Sequence, residues 1–139
     1  MATIIWCQKC GAETEHECRC PPEELLEANA IRELNDAFRA DLLGPLASIA
    51  GRKVVITRGV AERGLAFVTS ALDIVRGFTD FTPDNDPHGE HDFAFFTLDG
   101  GKLFWKMDYY DPDLEVASPD PADPEETTRV LTIGFAEEY

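Results

Sequence analysis

The chain has 139 residues, enough for one domain with its own core, and 44% of them are apolar, as in ordinary soluble globular proteins. No apolar run approaches the roughly 20 residues a membrane-spanning helix needs, so no membrane partner is expected. The net charge of −15 weighs against direct binding to DNA or RNA, where affinity comes mainly from neutralising phosphates with Lys and Arg.

That charge is concentrated. Residues 80–126 carry only Lys102 and Lys106 against 14 acidic residues, a local balance of −12. Such a block suits a basic protein partner, a cation, or a merely solvated surface. No basic stretch leading into a hydrophobic core opens the chain, so no signal peptide is legible and the cytoplasm is the expected compartment.

All four cysteines lie near the start, as Cys7-x-x-Cys10 and Cys18-x-Cys20. Clustered thiolates in a reducing compartment fit a structural zinc, which takes four soft ligands at tetrahedral corners. Gly11 suits the tight turn after Cys10, and His16 is a substitute ligand. Reduced free thiols and a disulfide or redox pair are the alternatives. With four protein ligands no coordination position stays open, so the expected zinc is structural. Residues 1–22 are accordingly expected to form a knuckle-like segment and residues 23–139 a single α+β domain.

Pro21-Pro22 followed by Glu23 and Glu24 is a helix start. Ile31, Leu34, Phe38 and Leu42 recur at spacings of three and four, predicting an amphipathic helix from Glu23 to about Leu43 that Gly44-Pro45 ends. Arg32, Glu33, Asp36 and Arg39 are expected to cover much of its remaining surface. The β-branched run Val54 to Thr57 predicts a strand. Gly59, between this strand and the next helix, is a weak phosphate-cradle signal. Leu65, Val68, Leu72 and Val75 predict a second helix over residues 61–77, stopped by Gly77.

A loop dense in turn formers follows, Thr82 to Asp92. Phe93 to Leu98, the turn Asp99-Gly100-Gly101 and Lys102 to Tyr109 predict a hairpin. Its aromatic residues Phe93, Phe95, Phe104, Trp105 and Tyr109 are expected to anchor it to the core. Residues 111–126, with four prolines, read as an irregular acidic connection, and Arg129 to Phe135 as a last strand. The expected fold is α+β: a small mixed or antiparallel sheet of about four strands covered by two helices, with an N-terminal zinc knuckle built from the four cysteines.

The chemistry-bearing residues gather in two acidic turns. Asp84, Asp86, Glu90 and Asp92 stand in the first, with His88 and His91, and Asp108, Asp111 and Asp113 in the second. They could ligate a hard cation, with His88, Glu90 and His91 as acid–base groups, although the spacing lacks the order of a calcium loop. Asp and Asn also populate such turns simply to bond their own backbone. His88-Gly-Glu90 is similar to the His-x-Glu of zinc deaminases, but the only Cys-x-x-Cys lies upstream, so the likeness reads as accidental. No nucleophile with its base is legible, which favours a non-enzymatic role.

The segments IRELNDAFR, ITRGV, FTDFTPDNDPHGEHDF, FWKMDYYDPDL, SPDPADP and RVLTI, with the terminal Glu-Tyr, resemble a bacterial family, domain of unknown function 3768, from about Ile31 to the C-terminus. The family implies no activity. Its members resemble small alphaproteobacterial proteins often carried on plasmids or other mobile elements, and that context implies antagonism of host defence. The expected function is an acidic inhibitor, antirestriction or anti-CRISPR-like, occupying the basic nucleic-acid-binding surface of a defence protein. Its contact residues would be Asp84, Asp86, Glu90, Asp92, Asp108, Asp111 and Asp113. The alternative is a metal-dependent hydrolase using the loops at 84–92 and 108–113.

Overall fold

The computed structural model describes residues 23–45 and 49–139. The expected zinc ligands Cys7, Cys10, Cys18 and Cys20 lie outside the described residues. Helix α1 runs Glu23–Ala40 and buries Ile31 and Phe38. It ends before the expected Leu43, because the last carbonyls are taken by tighter turns, Asp41 N–H to Phe38 and Leu42 N–H to Arg39. Leu42 is still buried.

Strand β1 is Arg52–Ile56. The single helix expected over 61–77 is two: α2, Arg58–Ala61, and α3, Leu65–Arg76. Gly64 separates them at φ 95°, in the left-handed region. The break turns Leu65 out to solvent, 82% exposed, and the buried face of α3 is Phe67, Ala71 and Val75. Gly59 is already engaged within the chain. Its N–H, with that of Phe135 and the Thr57 hydroxyl, donates to the Glu138 carboxylate. These bonds hold the Glu138 carboxyl below the usual range, the Phe135 N–H contributing most.

Strands β2, Phe93–Leu98, and β3, Gly101–Tyr110, form the expected hairpin. Its turn places Asp99 at φ 51° and Gly100 at φ 79°, the pair of positive values a two-residue turn needs to follow strand twist. Strand β4, Thr128–Phe135, leads into a 3-10 turn at Ala136–Glu138. The sheet order is β1-β4-β3-β2, with β1 parallel to β4 and the other pairs antiparallel. The fold is therefore α+β, a four-stranded mixed sheet with helices on one face.

Register assigns the faces. Leu103, Trp105, Met107, Leu131, Ile133, Ala94 and Phe96 meet Phe38, Leu42, Val60, Phe67, Ala71 and Val75 from the helices and adjoining turn. Of the five hairpin aromatics, only Trp105 and Tyr109 face this core. Phe93, Phe95 and Phe104 alternate to the opposite face, because side chains one residue apart on a strand point to opposite sides. There Phe104 is shielded by the Tyr139 ring, 5.1 Å away, while Phe95 stays 43% exposed. Gly134 makes room for the Phe104 ring: a Cβ there would stand 2.8 Å from it.

Candidate functional site

Arg32, Asn35, Asp36 and Arg39 stand at helical spacings of three and four, and so share one face of α1. That face grips the loop before β2. It is not the solvated cover the sequence suggests: Asn35 is fully buried and Arg39 nearly so. The Asn35 amide donates to the Glu90 carbonyl at 3.0 Å and to the Tyr109 hydroxyl at 2.8 Å. Its own oxygen accepts from Arg129 Nε at 2.9 Å. Arg32 donates to the Gly89 carbonyl. Arg39 donates to the carbonyls of Val75 and Phe78, both at 2.9 Å, and so closes the end of α3. Its guanidinium lies 5.0 Å from the Trp105 ring and 5.2 Å from that of Phe81.

Within the loop, Thr82 and Asn85 bond each other's backbone N–H. Asp86 is buried and accepts from the His91 N–H. His91 sits at φ 54° with its ring stacked on Phe81, centroids 3.7 Å apart. Its Nδ1 is 2.9 Å from Asp36 and its Nε2 3.7 Å from Asp86. Both ring nitrogens thus face carboxylates, and the ring acts as a strut between loop and helix. His88, by contrast, is exposed.

The register places this loop and the one over residues 111–127 at the same end of the sheet, where β2 begins and β3 ends. Buried Arg129, at the start of β4, donates to the Pro121 carbonyl and fixes the second loop there. A cleft of about 520 Å³ opens between both loops and the first half of α1, lined by residues including Leu25, Ile31, His88, Glu90 and Pro121.

The seven expected contact carboxylates divide by role. Asp84 and Asp113 are exposed. Glu90 and Asp92 are half-buried at the rim. Asp86 is a buried loop staple, and Asp111 accepts from the N–H groups of Glu115 and Val116, shaping its own turn. Asp108 belongs to the bare sheet face and pairs with Lys106 at 3.1 Å. Among the described residues no three His, Cys, Asp or Glu side chains could hold a metal ion together, so the expected hard-cation site is not assembled there.

Burial, then the charge of Asp92, pushes the Glu90 carboxyl above its ordinary range, with Asp86 and Glu27 adding and His88 opposing. Burial likewise raises Asp92, with Asp86 and Asp108 adding, partly offset by a backbone hydrogen bond and by His88. A carboxyl raised on folding binds more protons in the native state than in the unfolded one, so its contribution becomes less favourable as pH climbs through the folded value. The penalty is full above that value and absent below the unfolded one. Glu90→Gln is therefore expected to raise the thermal midpoint at pH 7, the gain vanishing near pH 4; an equal or larger gain at pH 4 would contradict this assignment.

The family model described as "Protein of unknown function (DUF3768)" matches residues 56–138, more than half of the chain. The chain belongs to the DUF3768 family. The DUF3768 match begins at Ile56, short of the Ile31 expected from the resemblance, and contains both acidic loops, β2, β3 and β4. Helix α1, which supplies Arg32, Asn35, Asp36 and Arg39 to the loop, lies upstream of the DUF3768 span. No curated protein matches the chain, and no solved structure does. The role of α1 was missed in the sequence because a polar residue on a helix signals burial only through partners far along the chain; Asn35 beside the stripe residues Ile31, Leu34 and Phe38 was the one available sign.

Proposed function

We propose that this protein is an acidic binding protein whose loop-bearing sheet end occupies a basic, nucleic-acid-binding surface of a host-defence protein, in the manner of an antirestriction or anti-CRISPR inhibitor. The observation that carries the reading is the pair Glu90 and Asp92, held half-buried beside each other and beside Asp86, with no Lys or Arg ion-paired to them among the described residues. Like charges kept together at a cost to the fold are relieved by a cationic group from outside, and a Lys or Arg of a partner supplies one. Exposed Asp84, Asp113 and Glu115 extend the same negative surface. The metal-dependent hydrolase reading draws no support from the side-chain arrangement.

The test uses carboxylates that serve no internal bond. Asp84→Asn, then Asp113→Asn and Glu115→Gln, should weaken capture of a nucleic-acid-binding partner from host lysate stepwise, and added salt should shrink each step. The unfolding midpoint should stay where it is, since exposed surface substitutions change stability by only about 0.5 kcal/mol. Capture by the triple variant equal to wild type at low salt would remove the proposal. Zinc at Cys7, Cys10, Cys18 and Cys20 belongs to it as a structural cofactor: about one zinc per chain is expected by elemental analysis of protein never exposed to chelator. A metal-free result would remove that part alone.

A further inference from the structure

We infer that strand β2 is a dimerisation edge, pairing antiparallel with β2 of a second copy to make one eight-stranded sheet. The sheet has two outer strands, and they differ in kind. β1 carries Arg52 and Lys53, the charges that discourage strand pairing at an open edge. β2, Phe-Ala-Phe-Phe-Thr-Leu, carries no charge, proline or glycine, and it is the one strand of the four without a charged residue. Among the described residues no hydrogen bond outside its ladder with β3 reaches Phe93–Leu98. The N–H and C=O groups along its outer side are a template for another strand, and the strand itself has no charge or proline to blunt one.

The absence of charge along the strand and its shape select a second copy as the occupant. Two chains of net charge −15 repel over most of their surfaces. At this edge the strand itself is uncharged: on the bare face, Lys102 stands opposite Thr97, with its Nζ 4.3 Å from the centre of the Phe95 ring, and Lys106, paired with Asp108, stands opposite Phe93, while Asp92 and Asp99 lie only at the two strand ends. Facing residues of an antiparallel pair lie on the same side of the sheet, so a two-fold axis through Phe95 keeps both helical layers on one side. That register sets Phe95 beside Phe95 of the second copy and Phe93 beside its Thr97 on the bare face. On the core face it sets Ala94 beside Phe96, a small residue against a large one. Aromatic cross-strand pairs stabilise such ladders, and the 43% exposure of Phe95 would be reduced. The two acidic loop ends then point away from each other, at opposite ends of the joined sheet, so the arrangement does not bring the most negative surfaces together.

Sedimentation of the intact protein tests this. Wild type is expected to pass from monomer to dimer with rising concentration, below about 1 mM. Phe95→Lys and, separately, Thr97→Lys are expected to leave a monomer with an unchanged far-ultraviolet spectrum, since both positions face solvent. Phe95→Cys should form an intermolecular disulfide between the substituted positions of two copies, identified by mass spectrometry, because directly opposed antiparallel residues lie about 4.5 to 5.5 Å apart, within disulfide reach. A wild-type protein that stays monomeric up to ~1 mM, or a dimer that both lysine variants leave intact, overturns the inference and leaves the edge to a strand from a different protein or to none.

Discussion

Trp105→Ala is expected to destabilise the protein by about 3 to 5 kcal/mol, read as a fall in the urea midpoint at constant slope. The indole is fully buried, with Phe78 and Phe81 packed edge-on at 6.0 and 6.1 Å and the Arg39 guanidinium over its face. Truncation removes the surface against which Arg39 of α1 and Phe78 and Phe81, just ahead of the acidic loop, all pack. Two companion variants locate the cause. Trp105→Phe should cost far less, about 1 kcal/mol, since the indole Nε1 has no hydrogen-bond partner to lose and most of the ring volume stays. Phe95→Ala should change monomer stability by only about 0.5 to 1 kcal/mol, because its ring lies on the bare face. Equal effects at Trp105 and Phe95 would mean the faces of the hairpin have been assigned wrongly.

Asn35→Ala is the second large effect, and it links stability to the proposed binding surface. One buried amide serves three partners: the Glu90 carbonyl, the Tyr109 hydroxyl and Arg129. Burial already holds the Arg129 guanidinium below its ordinary pKa and pushes the Tyr109 hydroxyl well above its own. Alanine takes one bond from each of these groups in a largely buried site, at about 2 to 4 kcal/mol. The loss should be local before it is global, so amide exchange at residues 86–92 should quicken more than exchange in β3 or β4. Glu33→Ala, on the exposed side of the same helix, should stay within about 0.5 kcal/mol. If Asn35→Ala leaves loop exchange unchanged, α1 does not organise the loop, and the acidic surface must be held by its own turns.

These expectations bear on how an acidic surface can be specific. Free carboxylates on a mobile chain attract any cation, whereas Glu90 and Asp92 are fixed by a helix, a strand and a stacked imidazole. Fixed charges match one spacing of cationic groups on a partner, and charges of the same sign placed elsewhere are rejected. The cost of that arrangement is visible in the raised carboxyls, while Arg32 and Asn35 of α1 hold the loop backbone that carries them.

By itself the sequence determined the first helix, the strands and the hairpin to within a few residues, because local rules set them. The three-and-four spacing of Ile31, Leu34 and Phe38 made a helix, and Asp99-Gly100 made a hairpin turn through its two positive φ values. The gathering of carboxylates in two turns was equally plain, as was the resemblance to the family from about Ile31 onward, of which the family model matches residues 56–138. Alternation along β2 and β3 showed that the hairpin has two faces, but both are rich in aromatic residues, so only the packing of α1 and α3 decided that Trp105 looks inward and Phe95 outward. The break at Gly64 was likewise invisible, since Leu65 fits a helical stripe as well as an exposed first turn. The burial of Asn35 and Arg39 was decided in three dimensions alone: a polar side chain can be buried only where its bonds are met, and those of Asn35 are met by Tyr109 and Arg129, 74 and 94 residues along the chain.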